Sequence, residues 1–121
     1  MVNSVVIRNR MKVRYLRKGE YQGPDMTVGK VYVVIGIEAN DYRIIDDTQM
    51  PYLYNPNQFE VVESERPNFW VTEYGEENEE YSYPFSWNAP GFFEDFHDGI
   101  NEVINQFWTE CEALYGITKS V

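Results

Sequence analysis

The chain has 121 residues, ten Lys/Arg against twenty Asp/Glu, and a net charge of −10. That length predicts one domain, large enough to bury a core without disulfides or metal staples. The lone Cys111 excludes an intramolecular disulfide and a cysteine-built metal cluster, and no run approaches the roughly eighteen apolar residues of a membrane helix.

Residues 1–10, MVNSVVIRNR, read as a flexible lead. They are too short and too basic to hold a signal peptide's apolar centre, which points to a reducing, cytoplasmic setting. Residues 11–63 read as five strands. Met11–Arg17 alternates, with Met11, Val13 and Tyr15 on one face and Lys12 and Arg14 on the other, the period of a half-buried strand. Lys18–Gly29 is a long loop broken by Gly19, Gly23, Pro24 and Gly29. Lys30–Glu38, KVYVVIGIE, is β-branched and aromatic, as strands favour. Ala39-Asn40-Asp41 turns into Tyr42–Asp47, and Asp47-Thr48-Gln49 turns into Met50–Tyr54. Pro56 and Asn57 interrupt the pairing as one 3₁₀ turn, and Phe59–Glu63 ends the set.

Residues 64–91 read as an acidic aromatic linker. Glu73–Glu80, EYGEENEE, is expected to be an exposed loop with Gly75 and Asn78 as breakers. Residues 92–116 read as one amphipathic helix. Phe93, Phe96, Ile100, Val103, Ile104, Phe107, Cys111 and Leu114 recur at three and four. Glu94 and Asp95 suit its N-terminal end and Gly116 its stop. Gly99 is its weak position.

The segments GKVYVVIGIE, YRIIDD, PYLY and FEVVE resemble the small SH3-like domains of uncharacterised bacterial proteins. The resemblance covers residues 11–63 and implies a five-stranded SH3-like barrel. The expected fold is therefore mainly β, a barrel followed by an acidic aromatic loop region and one C-terminal helix packed on it. Barrels of this type host many unrelated roles, so the resemblance implies no chemistry.

Candidate chemistry is sparse. His97 and Cys111 lie fourteen residues apart on the expected helix. At about 1.5 Å per residue that is roughly 21 Å, whereas a nucleophile and its base need about 3 Å. No catalytic residue and no cofactor are expected. Glu94, Asp98 and Glu102 share a helix face but lack the spacing of a calcium loop, so they read as a solvated face and not as a metal site. Phosphate-binding glycine motifs do not occur. Tyr54–Phe59 resembles the segment before the last strand of eukaryotic peptide-binding SH3 domains. With Tyr21 it would offer a peptide groove of Tyr21, Tyr54, Pro56 and Phe59. That family's groove tryptophan has no counterpart, since Trp70, Trp87 and Trp108 all lie beyond the barrel.

Charge carries the functional expectation. Residues 1–30 hold seven basic residues against two acids, about +5, and the rest hold three against eighteen, about −15. Such a surface opposes direct nucleic-acid and membrane binding and attracts basic proteins. The basic strand is expected to be neutralised within the chain. Thirteen of the twenty acids fall in residues 63–112, beside many rings. The expected partner surface is Glu73, Glu76, Glu77, Glu79, Glu80, Trp70, Tyr81, Trp87, Glu94 and Asp98. The leading reading is a non-enzymatic cytoplasmic interaction module, inhibitor-like, immunity-like or adaptor, facing a basic protein. The alternatives are an acidic DNA mimic or a direct nucleic-acid binder through residues 8–18, and a ligand or peptide site in an aromatic cleft.

Overall fold

A computed structural model of the chain describes residues 10–16 and 25–120. The expected lead up to residue 9 and loop residues 17–24, including Tyr21, lie outside the described residues. Five strands fall on the segments read as strands: β1 (Lys12–Tyr15), β2 (Val31–Glu38), β3 (Asp41–Ile45), β4 (Pro51–Tyr54) and β5 (Phe59–Glu63). Ala39 and Asn40 sit at φ +50° and +73°, the paired left-handed residues of a tight hairpin whose twist matches its strands. Before β5, Pro56–Gln58 makes the expected 3₁₀ turn. Asn55 caps it by accepting from the Asn57 amide at 2.8 Å.

The strand order is β4-β3-β2-β1-β5, antiparallel throughout. Among the described residues β4 and β5 do not pair, so the sheet is open and has seven strands. The extra two lie in the expected linker. Trp70–Tyr74 is β6 and Glu80–Pro84 is β7, a hairpin added to the sheet by Ile37↔Ser82 and Glu38↔Tyr81. β1 and β7 therefore follow one another along the same edge of β2. The loop expected across Glu73–Glu80 shrinks to its middle, because the acids and breakers concentrate there while WVTEY and EYSYP are good strand formers.

β2 joins two cores. Its ladder slips between Val34 and Gly36, a bulge that turns Val34 and Ile37 to the same side. Those two enter a core with Val13, Tyr15, Ile44 and Phe59, while Ile35 enters a second with Tyr83, Trp87, Phe93, Phe107 and Tyr115. A Cβ at Gly36 would collide with the Tyr83 ring, so the bulge requires glycine. The expected single helix is two, α1 (Phe92–His97) and α2 (Asn101–Tyr115). Gly99, at φ +84°, breaks it in the left-handed region. As a result Ile100 leaves the apolar stripe and stands exposed at the start of α2. Gly116 ends α2 at φ +69°, as expected. No described helix is long and apolar enough to cross a membrane.

Candidate functional site

The acids expected to face a partner divide into two groups. The first is the β6–β7 hairpin. Its three-residue loop closes with Asn78 N donating to Gly75 O (3.0 Å) and Gly75 N donating to Glu79 O (2.9 Å). Asn78 takes φ +65°, the geometry of a type I turn with a bulge. Glu73, Glu76 and Glu77 project to solvent. Glu79 is partly used internally, accepting from the Glu77 amide at 2.9 Å. Glu80 belongs to the scaffold. Its carboxylate pairs with Arg66 at 3.1 Å and accepts from Ser82 Oγ at 2.5 Å, and its amide donates to Asn40 Oδ1 at 2.9 Å.

The two tryptophans expected as anchors are corrections. Trp70 is 9% exposed and Trp87 2%. Trp70 Nε1 donates to Tyr115 Oη at 2.7 Å, and that hydroxyl donates to Ile35 O at 2.9 Å. Trp87 stacks among Phe92, Phe93 and Phe107 and donates Nε1 to Glu110 at 2.8 Å. Indole has the largest apolar area available to a chain this rich in rings, and both are consumed in joining helix to sheet. Sequence reasoning placed these residues beyond the five-stranded region and missed that the region continues.

The second acid group surrounds Arg43, which sequence reasoning did not single out. It is buried in β3. Its Nε donates to Tyr83 Oη (2.9 Å), Nη1 to Pro51 O (3.0 Å) and Nη2 to Glu38 (2.8 Å). The guanidinium lies 4.0 Å from the Phe93 ring centroid, a desolvated cation–π contact. Tyr83 also donates to Glu38 at 2.8 Å, and burial pushes its phenol well above the ordinary range. The one signal was a lone cation inside the apolar run YRII, and a buried arginine must be paired. Beside this hub a cleft of about 330 Å³ is lined by Glu38, Tyr81, Trp87 and Glu94. A second, about 600 Å³, is lined by Phe93, Glu94, Asp95, His97 and Asp98. The structure thus brings Tyr81, Glu94 and Asp98 to the rims of neighbouring clefts.

Of the expected peptide groove, Tyr54 lines a hollow of about 670 Å³ with Met50, Tyr52, Leu53, Asn55 and Gln58. Its hydroxyl donates to Asp46 at 2.6 Å. Phe59 is buried against Tyr15, Tyr42 and Tyr54, so it forms core and not groove. Pro56 opens the 3₁₀ turn. His97 stacks on Tyr52 with its Nε2 3.3 Å from Pro51 O, whereas Cys111 is wholly buried and its thiol is pushed up to about 12 by desolvation. The two face different surroundings.

Charge pairing sorts the acids further. Among the described residues Arg14 pairs with Glu60, Lys30 with Asp47, Arg43 with Glu38 and Arg66 with Glu80. Glu73, Glu76, Glu77, Glu94, Asp95 and Asp98 appear in none of these ion pairs. Protein-family models, curated proteins and solved structures alike contain no match to this chain.

Proposed function

We propose that this chain is a non-enzymatic, cytoplasmic interaction module of bacterial type that binds a basic protein through its acidic face. The face comprises Glu73, Glu76 and Glu77 on the hairpin and Glu94 and Asp98 on and beside α1, with Tyr81 between them. One observation carries the reading. Arg14, Lys30, Arg43 and Arg66 are engaged by Glu60, Asp47, Glu38 and Glu80, while Glu73, Glu76, Glu77, Glu94 and Asp98 take part in no ion pair among the described residues. Unpaired like charge raises the cost of the folded state, and a basic partner relieves it while speeding association. An inhibitor, immunity or adaptor role suits such a face. Within residues 8–18, the pairing of Arg14 with Glu60 takes one cation away from direct nucleic-acid binding, which gains by neutralising phosphates.

In fold terms we read residues 11–63 as an SH3-like barrel extended by the hairpin and capped by the helices. The support is the order β4-β3-β2-β1-β5, the long β1–β2 connection and the 3₁₀ turn before β5.

The test is capture from a cell lysate at low and high salt, with the wild-type chain and a Glu73→Gln, Glu76→Gln, Glu77→Gln variant. The expected result is capture of basic proteins by the wild type at low salt, and loss of that capture in the variant. An unchanged set of bound proteins would refute the acidic-face reading.

A further inference from the structure

Beside the hairpin acids runs an open backbone edge. Among the described residues β6 pairs only with β7. The phase of its hydrogen bonds is fixed at both ends. At the turn, Gly75 N donates to Glu79 O at 2.9 Å. One step on, the backbone of Glu80 faces away from β6, donating to Asn40 Oδ1 at 2.9 Å and accepting from Asn40 N at 3.1 Å. Antiparallel ladders alternate, so Val71 and Glu73 exchange bonds with β7, and the N–H and C=O groups of Thr72 and Tyr74 point outward. At the other end Trp70 N is already turned outward, donating to Pro67 O at 3.3 Å, which agrees with this phase.

The side chains along this edge select an occupant. Val71 and Tyr74 are 38% and 61% exposed, one on each face of β6, and Glu73 lies between them. Glu76 and Glu77 continue the charge past the strand end. Edge strands ordinarily carry charge to block pairing with their own kind. A second copy would bring one Glu73 against another across the new ladder, which like charges disfavour. A strand bearing Lys or Arg meets the opposite situation. The other sheet edges offer less. Glu60 of β5 is taken by Arg14, and β4 is covered where His97 stacks on Tyr52.

We propose that the outer edge of β6 captures an extended, Lys/Arg-bearing segment of a partner as an added strand. Outward backbone groups at Thr72 and Tyr74 would supply the ladder, Val71 and Tyr74 the apolar contacts, and Glu73, Glu76 and Glu77 the choice of sign. This rests on the acidic-face reading above and locates it.

The test uses three synthetic seven-residue peptides: alternating Lys and Val, alternating Glu and Val, and the Lys/Val peptide N-methylated along the edge facing β6. Amide resonances and hydrogen exchange of the full chain are followed during titration. The Lys/Val peptide should slow exchange at Thr72 and Tyr74 at least tenfold. N-methylation should weaken its binding at least tenfold, and Glu73→Gln, Glu76→Gln, Glu77→Gln should weaken it severalfold. Salt-sensitive binding that ignores N-methylation and leaves Thr72 and Tyr74 exchange unchanged would overturn the strand proposal while leaving the acidic face standing. Equal protection by the Glu/Val peptide would overturn the charge selection. No binding of the Lys/Val peptide at millimolar concentration would overturn both.

Discussion

Phe107→Ala tests whether α2 and the hairpin form one body with the sheet. The ring is wholly buried and faces Trp87, Phe96 and Phe93 at centroid distances of 4.8, 5.1 and 5.8 Å. Transfer of a Phe side chain from water contributes about 2–3 kcal/mol. Its neighbours are rings held by other rings and cannot collapse inward. A residual cavity of roughly 80 Å³, at about 24 cal/mol per Å³, adds about 2 kcal/mol. The expected loss is therefore about 4–5 kcal/mol, a large share of the 5–15 kcal/mol typical of a whole domain. Urea unfolding followed by tryptophan fluorescence reads it directly, because Trp87 lies beside the lost ring. At a slope of about 2 kcal/mol per M the midpoint should fall by roughly 2 M. Phe85→Ala is the control, since that ring is 79% exposed and its loss should cost under about 0.5 kcal/mol. A Phe107→Ala loss below about 1 kcal/mol, with an unchanged slope, would mean the helices are not docked through this core.

Tyr115→Phe should cost about 1–3 kcal/mol by urea unfolding, because it strands the buried indole N–H of Trp70 and the carbonyl of Ile35; Trp70→Phe in the same background should then cost less than it does alone. Cys111, buried with its thiol held up to about 12, should react with a thiol reagent at least a hundredfold slower in the native chain than in urea, and fast native labelling would contradict the packing. Burial disfavours the Asp47 carboxylate, but hydrogen bonds from Lys30, Thr27 and Tyr32 outweigh it and hold its pKa below the ordinary 3.8. Its contribution to stability is thus complete above pH 3.8 and lost as pH falls through the lower folded value. The Asp47 hydrogen bond raises Lys30 above 10.5 despite partial desolvation, so that contribution is complete below pH 10.5 and lost as pH rises through the higher folded value. Asp47→Asn should flatten the urea midpoint at both extremes, and a variant that tracks the wild type there would refute the pairing. Glu73→Gln, Glu76→Gln, Glu77→Gln should leave stability within about 0.5 kcal/mol, whereas adding Glu80→Gln should cost more because Arg66 loses its counter-charge and one of the two oxygens that accept from Arg66 and Ser82 becomes a donor.

What the sequence determined is what depends on neighbours along the chain. Alternation placed β1, because a side chain's face is set by its position within one strand; β-branched and aromatic content placed β2, and bounding turns placed β3 to β5. Pro56-Asn57 and Gly116 marked a turn and a helix end through dihedral preferences of single residues. Composition alone gave the excess of acids. The tertiary structure decided everything that depends on which distant segment arrives. Trp70 and Trp87 looked like surface anchors within an acidic stretch, and became core only because β7 joins the free edge of β2 beyond β1. Gly99 read as a costly helix interior, yet a left-handed break there lets α1 and α2 pack separately on the rings. Arg43 was one cation in an apolar strand until Glu38, Tyr83 and Phe93 closed around it. Among the described residues, the same long-range pairing leaves the outer edge of β6 without a strand beside acids that take part in no ion pair. Periodicity cannot reveal an edge, because it records which face a residue takes and not whether another strand lies alongside.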